Sequence, residues 1–219
     1  MRETKIKGIY KDRNQLFTIN PSNCKNKKIY NEKLVKIKDK EFRSWNPYRS
    51  KLSALLLKKI NIEIKPDFNI LYLGAATGTT VSHISDILVN GTIYAIENSA
   101  VSMKKLLELC KKRKNVVPIL EDAFHPDRYQ TIVPNVDFLY QDISQRNQSN
   151  IFIENIERYL KKDNKAIIMV KARSIDVSMK PKEVYEKVSL ELRESGLKIL
   201  DIVDLSPFEK DHAAVIVKN

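Results

Sequence analysis

The stretch Ile70 to Ser85, "ILYLGAATGTTVSHIS", decides how this chain reads. An apolar run stops at Gly74, small residues follow, and an amphipathic pattern starts at Thr79 and Thr80. That succession predicts a strand turning sharply into a helix. In an open α/β sheet, ligands sit beyond the carboxyl ends of the strands, where the next helix offers unpaired N–H groups. Gly74, Ala75, Ala76 and Gly78 carry little side chain, so a ligand can reach the backbone there; the same glycines also suit a bare turn. The spacing is not G-x-G-x-x-G, which argues against a nicotinamide dinucleotide.

The alternation continues outward from this corner. After Pro66 the segments 69–73, 92–97, 116–120, 136–140, 166–171, 198–205 and 213–218 read as strands. Segments 79–88, 99–113, 150–160 and 181–195 read as helices. Repeated βα units with apolar strands specify a mostly parallel sheet covered by helices on both faces. The last two strands have no helix between them, so 213–218 is expected to insert antiparallel. A seven-stranded sheet of this kind is the Rossmann-like α/β architecture of class I S-adenosylmethionine (SAM) methyltransferases. Upstream, "PYRSKLSALLLKKI" (47–60) predicts an amphipathic helix with proline near its first turn and a stripe of Leu52, Leu55, Leu56 and Ile60. Lys51 falls off that stripe. The segments 5–10, 15–20 and 33–38 suggest short strands, which divides the chain into a small β-rich unit at 1–46 and an α/β domain at 47–219.

The strand ends carry the polar residues. Glu97 closes the second strand, 23 residues after Gly74, where a carboxylate can accept from both hydroxyls of an adenosine-type ribose. Asp122 follows the third strand, where a carboxylate can meet an adenine amino group. Each of these acids alone could be a helix cap or a solvated charge, but their order along successive strands favours a nucleoside-type cofactor. Asp142 closes the fourth strand and Lys171 the fifth. Such a pair is either a simple ion pair or a site where burial and a second lysine favour a neutral amine able to take a proton. His212 precedes the last strand, and His83 and His125 join no catalytic set. Three scattered histidines and two distant cysteines, Cys24 and Cys110, support neither a metal site nor a disulfide framework.

Charge is uneven. Residues 1–50 hold 14 Lys/Arg against 5 Asp/Glu, +9 of the +12 total. A polyanion, nucleic acid foremost, suits that surface; a lysine-rich solvated coat is the plainer alternative. No apolar run approaches the ~20 residues that span a bilayer and no signal segment follows Met1, so a soluble, cytoplasmic protein is expected.

Specific stretches now point to a family. "SWNPYRSKLSA" (44–54), "LYLGAATGTTVSH" (71–83), "GTIYAIENS" (91–99), "MVKARSID" (169–176) and "PFEKDHAAVIVKN" (207–219), together with 121–148, resemble the fibrillarin family, its archaeal branch most closely. The resemblance implies SAM as cofactor and RNA ribose 2′-O-methylation inside a C/D-box guide ribonucleoprotein, on rRNA and also tRNA. The implied partners are the guide RNA, a Nop-domain scaffold and a kink-turn-binding protein. It implies cofactor contacts at Thr79, Thr80, Glu97, Asn98, Asp122, Ala123 and Asp142-Ile143-Ser144-Gln145, and a catalytic set of Lys51, Asp142, Lys171 and His212. Asn98 stands where an aromatic residue is usual, and Thr77 where serine is common. From these, Lys171 is expected to act as base, oriented by Asp142, with Lys51 and His212 positioning the ribose. A SAM enzyme for small molecules or proteins, and a non-catalytic RNA-binding subunit, are the rival readings.

Overall fold

The computed structural model describes residues 1–58 and 60–219. Apolar, β-branched runs separated by helices form a seven-stranded sheet: β6 (Asn69–Leu73), β7 (Thr92–Glu97), β8 (Val116–Leu120), β9 (Val136–Gln141), β10 (Leu160–Lys171), β11 (Lys198–Asp204) and β12 (His212–Lys218). Their order is β11-β12-β10-β9-β6-β7-β8. β8, β7, β6, β9 and β10 run parallel, and β12 pairs antiparallel with both β10 and β11, as the missing crossover helix required. The helices α2 (Thr79–Ile87), α3 (Ala100–Cys110), α4 (Gln148–Tyr159) and α6 (Pro181–Glu194) cover the faces, and a single turn, α5 (Ala172–Ile175), follows β10.

Alternation of side chains across the strands separates two apolar layers. Tyr72, Phe138, Tyr140, Ile167, Met169, Ala214 and Ile216 face one side. Leu71, Leu73, Leu139, Ile168, Val170, Ala213 and Val215 face the other, with Phe152 of α4 and Val184 of α6.

The first side is also covered by the N-terminal part. A second sheet of β1 (Arg2–Glu3), β2 (Ile9–Asp12), β3 (Gln15–Ile19), β4 (Leu34–Ile37) and β5 (Lys40–Trp45) has the antiparallel order β1-β2-β3-β5-β4. Its Ile9, Leu16 and Trp45 join the same apolar layer as Leu52, Val81 and Ile84. A buried polar cluster fastens it to α2. Arg43 contacts Glu32 at 2.7 Å, Asp86 at 2.7 Å and Ser82 Oγ at 2.9 Å, and Arg113 reaches Asp86 at 2.9 Å. Thr18 donates its one hydroxyl proton to Asp86, so His83 Nδ1 donates to Thr18 Oγ1 (2.7 Å), while Nε2 lies 2.5 Å from the Tyr30 hydroxyl, which also meets the Ser44 carbonyl at 3.1 Å. Trp45 stacks on the imidazole with centroids 4.8 Å apart. Burial, then Arg43 and Arg113, hold its pKa well below the ordinary 6.5.

Several boundaries differ from the sequence expectation. The helix expected over 47–60 is α1 (Lys51–Leu57): Ser50, not a residue near Pro47, caps it by accepting from the N–H of Ser53. Lys59 of that expected helix lies outside the described residues. The first expected strand begins only at Ile9, because Thr4 to Ile9 close a turn with Ile9 N–H donating to the Ile6 carbonyl. β5 was not expected; its alternation is hidden because Arg43 points inward and is buried through its ion pairs. Leu160, expected to end a helix, instead starts β10, whose register to β9 shifts between Leu160 and Lys165.

Candidate active site

The strand ends meet at one edge of the sheet. β6 stops at Leu73, and Gly74 follows with φ +83°. A side chain there is excluded twice: the backbone is left-handed, and a Cβ would lie 2.3 Å from the Asp142 carbonyl oxygen. That proximity follows from the close pairing of the corner to β9, where Asp142 N–H donates to the Leu73 carbonyl at 2.9 Å. Gly74 and Ala75 both donate to the Ile96 carbonyl at 3.0 Å, which draws the end of β7 to the same point.

A cleft of about 290 Å³ opens here. Gly74, Ala76, Glu97, Asn98, Asp122, Ala123, Asp142, Ile143, Ser144 and Gln145 line it, with Ile96 and Glu121, which the sequence had not singled out. Ile96 follows from the strand period, and Glu121 only from being next to Asp122. The buried Glu97 carboxylate accepts from Ala76 N–H and Ser99 N–H, each at 2.7 Å, one on each oxygen. A carboxylate has about four acceptor positions, so capacity remains on both oxygens. Asp122 Oδ1 accepts from Phe124 N–H (3.0 Å) and from Gln145 Nε2 (3.3 Å), leaving Oδ2 open. The other corner candidates support the cleft from behind. Ala75 and Gly78 are buried, Thr80 Oγ1 lies 2.9 Å from Ser50 Oγ, and Thr79 lines a separate depression beside Arg49 and Lys105.

The basic residues gather beside Asp142. Lys51, at the start of α1, meets Asp142 Oδ1 at 2.7 Å, with both side chains 19% exposed. The face on which the others lie follows from parity. Met169 and Tyr140 belong to the layer under α1, so Lys171, two residues beyond Met169, and Asp142, two beyond Tyr140, point to that side. His212 pairs across from Lys171 in the β10–β12 ladder and shares its face. Its Nδ1 donates to the Lys210 carbonyl at 2.7 Å, so the ring is anchored through that nitrogen. Buried Gln148 holds the Lys171 backbone, accepting its N–H at 3.3 Å, while Gln141 Nε2 donates to the Gln148 carbonyl at 2.7 Å.

One expected contact is absent. Asp142 is engaged by Lys51 rather than orienting Lys171, and among the described residues Lys171 has no ion-pair partner. The register separates them along the sheet: Ile168 pairs with Gln141, so Asp142 lies level with Met169 and Lys171 stands two residues further on. Beneath this group, the rings of Tyr72 and Tyr140 lie 4.7 Å apart. Burial, with smaller contributions from Asp142, raises both phenols well above 10, so the floor of the site stays uncharged. Among the described residues no group of three or more His, Cys, Asp and Glu could hold a metal ion, and both cysteines are free.

The fibrillarin family model matches residues 1–219. The chain belongs to the fibrillarin family. It is 48% identical over 193 residues to a fibrillarin-like rRNA/tRNA 2′-O-methyltransferase of Methanocaldococcus jannaschii, covering 88% of this chain and 84% of the relative. Fibrillarin solved in a complex with Nop5p superposes with a TM-score of 0.89 at 41% identity, covering 99% of this chain and all of that one. Aeropyrum pernix fibrillarin with natively bound SAM superposes at 0.87 and 38% identity, covering 99% of this chain and 96% of that one. The seven-stranded sheet with its N-terminal antiparallel sheet is thus a family property.

Proposed function

We propose that this chain transfers a methyl group from SAM to a ribose 2′-hydroxyl of rRNA or tRNA. The observation that carries this is a cleft that holds Glu97 and Asp122 and reaches the Lys51–Asp142 pair, with Lys171 and His212 on the same face as that pair. The family relationship supplies the reaction class.

The cleft suits the cofactor: Glu97 retains acceptor capacity for two ribose hydroxyls, and Asp122 Oδ2 is open to an exocyclic amine. Gly74, Ala76 and Ala123 leave room along its wall, while Asn98, Ile143, Ser144 and Gln145 complete it. Ala75, Gly78, Thr79 and Thr80 shape the corner behind. When bound, SAM supplies an activated methyl group. The chain's own task is to hold a weakly nucleophilic hydroxyl in line with that group and to take its proton. Positioning contributes several kcal/mol, and general-base help about 10²–10⁴-fold. We assign the proton to Lys171 Nζ, which no carboxylate engages among the described residues. Lys51, fixed by Asp142, and His212, through Nε2, position the ribose.

The chain would work as the catalytic subunit of a C/D-box guide ribonucleoprotein in the cytoplasm. The relative solved with Nop5p supports docking on a Nop-domain scaffold. Guide RNA and a kink-turn-binding protein complete the particle in this reading. The basic unit at 1–46 then meets RNA phosphates, a contact that weakens as salt rises. No helix among the described residues is long and apolar enough to cross a membrane.

The test is transfer of label from radiolabelled SAM to a target RNA, with guide RNA and partner proteins supplied or omitted. Label should require the complete particle and vanish when the target ribose is 2′-deoxy. Labelling of the deoxy target, or none despite SAM binding and assembly, would assign another substrate.

A further inference from the structure

A groove of about 630 Å³ lies beside the catalytic set, outside the residues assigned to it. Its walls are the β2–β3 turn, the segment after β5, the end of α1 and the loop before β12, contributed by residues such as Lys11, Asn14, Tyr48, Lys58 and Phe208. Among the described residues two lysines line it and no carboxylate does. Tyr48 is 62% exposed. Its ring stands edge-on to Phe208, with centroids 5.3 Å apart and planes at 71°. Lys58 Nζ lies 5.9 Å from the Phe208 centroid and donates to the Ser206 carbonyl, tying α1 to that loop. The mount of Tyr48 is fixed: Pro47 is buried, and Tyr48 N–H donates to Asn46 Oδ1 at 2.9 Å.

A lone exposed aromatic is ordinary surface. Here a second ring, an ammonium over it and a groove without a carboxylate among its described residues accompany it. Tyr48 also precedes Lys51 by three residues, and Phe208 precedes His212 by four, so the groove's walls are continuous in the chain with two residues of the proposed catalytic set. An aromatic face beside fixed cations is the chemistry that holds a nucleic-acid strand: the ring stacks on a base and the ammonium meets a phosphate.

We propose that this groove receives the RNA strand next to the ribose to be methylated, with one nucleobase stacked on Tyr48 and a neighbouring phosphate between Lys58 and Lys11. The proposal rests on the ribose-methylation reading above.

The test uses the assembled particle and single-turnover label transfer over a range of target RNA concentrations. Tyr48→Ala should lower kcat/KM for RNA about 5- to 150-fold, the range expected for one lost base stack, with SAM affinity and assembly unchanged. Tyr48→Phe keeps the ring and should stay within about twofold. Lys11→Gln should reduce the salt dependence of the RNA step by about one phosphate contact. A 4-thiouridine beside the target nucleotide should crosslink to Tyr48 in the wild-type particle. Unchanged kcat/KM in Tyr48→Ala, beside a wild type that labels its target, would overturn the groove and leave the reaction standing. A Tyr48→Ala particle that assembles poorly but labels RNA normally once assembled would give the surface to a protein partner, and overturn it too. Failure of the wild-type particle to label any RNA would remove the reading on which the groove depends.

Discussion

Gly74→Ala tests the corner, and Gly196→Ala supplies its control. Both glycines are left-handed, with φ +83° and +88°. A Cβ on Gly74 would sit 2.3 Å from the Asp142 carbonyl oxygen and 2.9 Å from Ile143 Cγ2; on Gly196 it would meet nothing within 4 Å. The two substitutions share a backbone cost of about 1–2 kcal/mol. Only the first adds overpacking, about 1–3 kcal/mol more. At roughly 2–4 °C per kcal/mol for a chain of this size, Gly196→Ala should melt about 2–8 °C below wild type and Gly74→Ala about 4–20 °C below. An ordinary carbon–oxygen contact is about 3.3 Å, so Asp142 must retreat by about 1 Å. Asp142 lines the cleft and holds Lys51, so SAM binding and methyl transfer should both suffer, transfer by about 10²-fold. Thermal melts of the three proteins and a calorimetric SAM titration decide the matter. Equal losses in the two variants, or normal SAM binding by a folded Gly74→Ala, would show that close approach of Asp142 is not what requires glycine there.

Lys171→Ala should reduce methyl transfer by about 10²–10⁴-fold while SAM affinity, read by calorimetry, stays within about twofold; near-normal turnover would move the base elsewhere. Arg43→Ala leaves Glu32 and Asp86 buried without their principal cation and should cost about 3–5 kcal/mol in denaturant unfolding. A loss under about 1 kcal/mol would mean that water or Arg113 compensates. His83 predicts acid sensitivity. Its folded pKa lies well below 6.5, so below pH 6.5 the unfolded chain takes a proton that the folded chain refuses. This contribution is fully present above pH 6.5, and stability should fall by up to about 1.4 kcal/mol per pH unit beneath it. Imidazole resonances of His83 that titrate near pH 6.5 in the folded protein would contradict it.

The middle of the central sheet was legible because β6, β9, β12 and the 166–170 part of β10 are buried on both faces, so each reads as a continuous apolar run between turn residues. The antiparallel last strand was legible for a simpler reason: the seven residues 205–211 between β11 and β12 are too few for a crossover helix. The N-terminal sheet was harder to read. Its residue Arg43 is among the largest fully buried side chains, and no local pattern reports that Glu32 and Asp86, distant in sequence, make burial possible. Glu97 and Asp122 could be placed because position at a strand end is a property of the sequence. The partner of Asp142 could not. Lys51 reaches it across 91 residues, through a helix start set by Ser50 rather than by Pro47.

That helix start links the two sheets to the chemistry. Ser53 Oγ, in the first turn of α1, donates to the Trp45 carbonyl at 3.0 Å, and Trp45 stacks on His83 within the Arg43 cluster. Lys51 is therefore carried on a helix whose position depends on the N-terminal sheet as well as on the sheet that supplies Asp142, Lys171 and His212. The N-terminal sheet and the face proposed as catalytic share one apolar layer, so loosening the buried cluster should shift Lys51 before it disturbs the strand ends. Thr18→Val removes the hydroxyl between His83 and Asp86 without touching the cleft. It should lower methyl transfer while leaving SAM affinity intact. Parallel loss of both would show instead that the cluster supports the whole fold, with no separate hold on Lys51.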